Sequence, residues 1–88
     1  MGYRVTKFES TPNPNALKCV VEPSPGPTPR SYFHAAAAGD DPLGSALFGI
    51  EGVTNVLIHT SFITVCKSPD RAWGPMKKAI ERVLRASP

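Results

Sequence analysis

Proline decides what this chain can become. Ten of its 88 residues are proline, and each restricts φ and withholds a backbone donor, so no long helix and no central strand can run through one. Four of them, Pro23, Pro25, Pro27 and Pro29, crowd into residues 22–30 and make that stretch an extended, exposed connector. The spacing there is P-x-P rather than the P-x-x-P that SH3-type partners read, so it is taken as a connector only. Thr11-Pro12-Asn13-Pro14-Asn15 breaks the chain again, and its two asparagines suit turn geometry.

What survives between the prolines is a set of short segments. Tyr3 to Glu9 and Ala16 to Val21 carry β-branched, aromatic and alternating apolar residues and read as an antiparallel pair of strands. Ser31 to His34 could add a short edge strand, and Ala35 to Ala38 a helical turn. Asp41-Pro42 is a helix start, because Asp can accept from free N–H groups and proline at the first position gives up a donor that has no partner. Leu43, Ala46, Leu47 and Ile50 follow at helical spacing with Phe48 on the flank, and Gly52 is the expected stop. Val53 to His59 and Phe62 to Lys67 read as a second hairpin. A C-terminal helix starting near Trp73 or Gly74 places Trp73, Met76, Ile80, Val83 and Leu84 on one side, with Lys77, Lys78, Glu81, Arg82 and Arg85 on the other. The expected fold class is therefore α+β: a ββαββα two-layer sandwich, with a four-stranded, mainly antiparallel sheet and both helices on one face.

Length and composition bound the rest. Residues 1–88 allow one small domain, and 41% apolar against 19% charged residues suits a thin folded core. Ten Lys and Arg against seven Asp and Glu give a net charge of +3, mild for a nucleic-acid binder. Arg4, Lys7, Lys18, Arg30, Lys67 and Arg71 are scattered; the four cations of the last helix read as its solvated side. No apolar run approaches the roughly 18 residues of a membrane span, so no membrane role is expected. Two cysteines without a secretory leader suit a reducing compartment, and a cytoplasmic location is the expectation.

The motifs then become more specific. Thr11-Pro12-Asn13-Pro14-Asn15-Ala16-Leu17-Lys18, Pro42-Leu43 with Leu47-Phe48-x-Ile50-x-Gly52-Val53 and Val56, and Phe62-Ile63-Thr64-Val65-x-Lys67 resemble, in that order, the N-terminal domain of Nfu/NifU-like iron-sulfur scaffold proteins. The resemblance covers about residues 3 to 86 and implies an α+β fold with helices packed on a sheet. It also implies that a cluster is held elsewhere, by a separate C-terminal domain with a C-x-x-C pair that this sequence lacks. Cys19 in place of a larger apolar residue, Ser61 in place of an acidic one, and the proline connector depart from the family pattern.

The function that follows is a non-enzymatic accessory or interaction module in iron-sulfur cluster assembly or delivery. Its partners would be scaffold or client proteins, with the chain a monomer or weak dimer. No cofactor is expected on this chain alone, and an iron-sulfur cluster only together with a partner. Phe62, Thr64 and Cys66 share the face of their strand turned from the helices, and with Asn13 and Asn15 they are the candidate partner-binding residues. Bland roles compete at each position. Cys19 reads as core, Asn13 and Asn15 as turn residues, Trp73 as a plug between helix and sheet, and Cys66 as a small residue on a sheet surface. His34 and His59 have no cysteine at zinc-motif spacing, so no metal site is expected. Two alternatives stay open: a thiol-dependent metal or redox protein sharing Cys66 between chains, and a weak nucleic-acid binder using the basic side of the last helix. Without a paired acid, base or nucleophile, no catalytic residue is assigned.

Overall fold

The computed structural model describes residues 2–87. Five strands and two α-helices follow one another as β1 (Arg4–Ser10), β2 (Ala16–Glu22), β3 (Arg30–Tyr32), α1 (Pro42–Phe48), β4 (Val53–Ile58), β5 (Phe62–Lys67) and α2 (Trp73–Ala86). The strands form one sheet in the order β1-β2-β5-β4-β3, and every neighbouring pair is antiparallel. The α+β sandwich is as expected, but the sheet has five strands rather than four. The addition is β3, whose register Ser31↔Leu57 and Tyr32↔Val56 lays it along the free edge of β4.

Alternation along β5 sets the two sides. Ile63 and Val65 are fully buried and face the helices, while Phe62, Thr64 and Cys66 are half-buried on the reverse face. Leu17, Cys19 and Val21 of β2 and Val56 and Ile58 of β4 join the helix side. Against them pack Leu43, Leu47 and Ile50 from the α1 region and Met76, Ile80 and Leu84 from α2. Two irregularities keep this alternation intact. Val5 and Phe8 are three apart and would fall on opposite faces of a regular strand, but the register slips at Thr6 and both meet the core. The same slip at Thr54 lets Val53 and Val56 share a side.

The proline connector has a geometric task. Because β2 and β3 are three strand spacings apart, roughly 14 Å, the chain must cross the tip of the β4–β5 hairpin to reach β3. Seven extended residues, at about 3.1 Å each, span more than that distance, so the connector makes the crossing with several ångströms to spare. Ser24 Oγ anchors the crossing by donating to the carbonyl of Thr60 at 2.6 Å. Most of the connector is exposed as expected, but Pro25 is buried.

Asp41 joins β3 to α1. Its Oδ1 accepts from the N–H groups of Leu43 and Gly44, at 3.1 and 3.3 Å, and caps the helix. Its Oδ2 accepts from Arg30 Nε at 2.5 Å and Tyr32 Oη at 2.7 Å. Gly44 sits so close to the Tyr32 ring that a Cβ there would come within 3.0 Å of it. The helix that Asp41 starts is shorter than its apolar spacing implies. It ends at Phe48, where the Gly49 N–H bonds back to the carbonyls of Ser45 and Ala46. Gly52, the expected stop, instead turns the chain into β4 with φ +99°.

Burial by itself would raise the Asp41 carboxyl, but the hydrogen bonds from Arg30, Tyr32 and Gly44 outweigh it and hold the group below its ordinary value of 3.8. The resulting stabilisation is present above that value and is lost as pH falls through the lower, folded value. Asp41→Asn should therefore unfold at lower urea than the parent at pH 7, with the gap closing as pH is taken below 3.8. Asp41→Ala should lose about 1 kcal/mol more through the missing cap.

Candidate functional site

The site expected from sequence spans two places, and the fold separates them. Phe62, Thr64 and Cys66 lie side by side on the open face of the central strand. Asn13 and Asn15 sit in the β1–β2 turn, where their side chains are occupied. Asn13 Oδ1 accepts from the Asn15 N–H at 2.9 Å, and the Asn13 N–H donates to Thr11 Oγ1 at 3.1 Å. Asn15 Oδ1 accepts from Lys67 Nζ at 3.2 Å.

That last bond explains a lysine that composition alone places on the surface. Lys67 is 8% exposed, because alternation along β5 turns it toward the helices. Besides Asn15, its ammonium donates to the Ser68 carbonyl at 3.4 Å and lies 5.5 Å from the centre of the Trp73 ring. Trp73 in turn donates from Nε1 to the Pro14 carbonyl at 3.0 Å. The TPNPN turn, the end of β5 and the start of α2 thus form one joint, in which Trp73 packs against the core edge and also fastens the turn. Asn15→Ala should cost about 1–3 kcal/mol in urea denaturation, since it leaves a buried ammonium short of an acceptor. Asn13→Ala, at an exposed position, should cost less.

The open face carries the candidate docking surface. The Phe62 ring stacks on His59, with centroids 4.7 Å apart, and Lys18 Nζ stands 4.5 Å from the Phe62 ring centre. Toward β1 the face becomes ionic, with Glu9 between Lys7 at 2.7 Å and Lys18 at 3.5 Å. Toward β3 it becomes apolar. Leu57, Thr64 and Cys66 line a shallow depression of about 310 Å3 with Asn55 and Phe33. Phe33 is 73% exposed and is the one large hydrophobic side chain so exposed among the described residues. Leu57 and Phe33 were not singled out from the sequence. Leu57 is visible only once β4 is known to pair with β5 in this register, and Phe33, just after β3, only once β3 is known to lie along β4.

The two thiols lie on opposite sides of the sheet. Cys19 is fully buried among the core residues, whereas Cys66 lines the depression on the open face. They therefore cannot jointly grip one cluster or metal ion. Burial pushes the Cys19 thiol up to about 12. No group of three or more His, Cys, Asp or Glu side chains close enough to hold a metal occurs among the described residues. His34 accepts from the Ala37 N–H and caps a 3-10 turn at Ala35–Ala38, and His59 is occupied by Phe62. Under native conditions a disulfide thiol reagent should titrate Cys66 alone, with Cys19 reacting only after denaturation.

These features define a class: an antiparallel α+β sandwich with one face buried under two helices and the other left uncovered. The chain belongs to the family described as "Scaffold protein Nfu/NifU N terminal", which matches residues 6–87. It is 37% identical over 81 residues to the Arabidopsis thaliana "NifU-like protein 5, mitochondrial", covering 86% of this chain and 28% of that protein. It is 36% identical over 80 residues to the human "NFU1 iron-sulfur cluster scaffold homolog, mitochondrial", covering 89% and 32%. The chain thus spans about a third or less of the length of these curated relatives. Among solved structures, the crystal structure of Staphylococcus aureus protein SAV1430 superposes with a TM-score of 0.77 at 25% identity, covering 91% of this chain and 96% of that one. A Saccharomyces cerevisiae NifU-like protein superposes at 0.74 with 24% identity, covering 89% and 72%, and supports the fold.

One expectation is overturned by these relatives. Both curated proteins are named mitochondrial, so the cytoplasmic assignment does not stand. Free thiols suit any reducing compartment and do not distinguish one from another.

Proposed function

We propose that this chain is a non-catalytic docking module of iron-sulfur cluster assembly or delivery. In this reading the open face of its sheet holds a cluster-bearing protein of the C-x-x-C type. The observation that carries the proposal is the shallow apolar depression of Leu57 and Phe33 around Thr64 and Cys66, beside the half-buried Phe62, on the side of the sheet away from both helices. Aromatic anchors beside a shallow pocket, rimmed by ionic groups, have the anatomy of a protein-docking surface. Kinship with proteins named as iron-sulfur cluster scaffolds supplies the setting. The cluster is cargo on the partner, since Cys19 and Cys66 do not converge.

Docking of this kind contributes through effective concentration. A cluster donor held on one module meets a recipient on the same assembly without a fresh diffusional encounter. No bond need be made or broken by this chain, which agrees with the ordinary structural tasks found for Asp41, Lys67 and both histidines.

The test is an anaerobic NMR titration of the labelled chain with a cluster-loaded C-x-x-C domain of an Nfu-type protein. Shifts should concentrate at Leu57, Phe62, Thr64, Cys66 and Phe33, and Leu57→Lys should weaken binding at least about tenfold. A response confined to the helix side would overturn the reading. So would a stoichiometric visible-absorbing cluster retained by the isolated chain after anaerobic reconstitution.

A further inference from the structure

The molecule's charge is distributed far less evenly than its sequence implies. Outside α2, six cations and six anions cancel; α2 itself holds four cations, Lys77, Lys78, Arg82 and Arg85, against Glu81, and so carries the whole net charge of +3. The cations elsewhere are also engaged. Arg4, Lys7, Lys18, Arg30 and Arg71 each pair with a carboxylate, and Lys67 is buried against Asn15. On α2, Lys77 lies over the Phe8 ring at 5.4 Å. Lys78, Arg82 and Arg85 are exposed, and among the described residues they enter no ion pair.

Their spacing aligns them. Positions i, i+4 and i+7 stack on one side of a helix over about 10 Å, opposite Met76, Ile80 and Leu84, which are buried in the core. Like charges at i, i+4 are mildly destabilising, and although Glu81 lies three positions after Lys78, neither Lys78 nor Arg82 forms an ion pair with it. The Arg85 charge has a local use at the helix C-terminus, where it complements the dipole, but Lys78 at mid-helix has none.

We infer that the outer face of α2 is a second docking surface, whose occupant is an acidic helix or segment of a partner protein with carboxylates repeated along one side. Two other anionic partners fit less well. A membrane-surface helix needs apolar residues beside its cations, and here the apolar side of α2 is spent in the core. Single-stranded nucleic acid is held by aromatic platforms among the cations, and the exposed aromatic Phe33 lines the opposite face of the sheet. Because this stripe and the open sheet face point in opposite directions, an acidic partner here would not compete with a protein docked there. The inference does not rest on the proposed cluster-related role.

The test uses the chain in NMR titrations with an acidic helical peptide bearing Glu at i, i+4 and i+7. A peptide of equal composition, with its Glu residues spread round the helix, is the comparison. The one-sided peptide should shift resonances around Lys78, Arg82 and Arg85, leave Phe62 and Leu57 unmoved, and lose affinity as salt rises from about 50 to 200 mM. Lys78→Gln/Arg82→Gln/Arg85→Gln should weaken it at least about tenfold. Lys78→Gln alone should give a smaller loss with unchanged circular dichroism and melting, which separates binding from folding. Equal binding of the two peptides would overturn the proposal. Tighter binding at the same residues by a duplex DNA, or by phosphatidylglycerol vesicles, would overturn it in favour of that partner.

Discussion

Burial of a single face of β5 is the constraint on which the rest of the molecule depends. The strand is central, with β2 on one side and β4 on the other, and Ile63 and Val65 are sealed beneath the helices. Two helices, of seven and fourteen residues, can cover one side of five strands and no more. The same economy that makes the core therefore leaves Phe62, Thr64 and Cys66 facing outward. Core and candidate surface are two outcomes of one alternation.

Around this strand, polar contacts act at the joints rather than in the layers. Asp41 fastens an edge strand to the start of α1, while Lys67, Asn15 and Trp73 fasten a turn to the start of α2. Each joint lies where an element begins, the place where unpaired backbone groups are most numerous and a misplaced entry angle is most costly. Neither joint has the marks of a reacting centre: among the described residues no buried side-chain nitrogen or oxygen is left without a hydrogen-bond partner.

Much of this was legible in the chain, and the parts that were not share a cause. The period of α2, the alternation of β5 and the Asp41-Pro42 start are local signals, and each led to the right element. The possible edge strand at Ser31 to His34 is found as β3, shifted to Arg30–Tyr32, because its bounds are set by pairing with β4 and by the Arg30 and Tyr32 bonds to Asp41 rather than by its own residues. The slips at Thr6 and Thr54 hide the inward partnership of Val5 with Phe8 and of Val53 with Val56 from any two-residue period. Lys67 reads as a solvated terminus because nothing local announces that a carboxamide 52 positions upstream awaits it. On the open face, Phe62, Thr64 and Cys66 could be placed from their own strand, but Leu57 and Phe33 come from neighbours and required the sheet order.

The buried ammonium of Lys67 has a wider consequence for how the chain finds its fold. Phe62 to Cys66 is apolar enough on both sides that a displacement by one residue would still bury a tolerable set of side chains. Such a shift would swing the lysine out to water and strand the asparagine and the indole that receive it. A solitary polar group at the end of a greasy strand thus works as an alignment peg, giving up a little desolvation energy so that only one threading of the sheet is consistent.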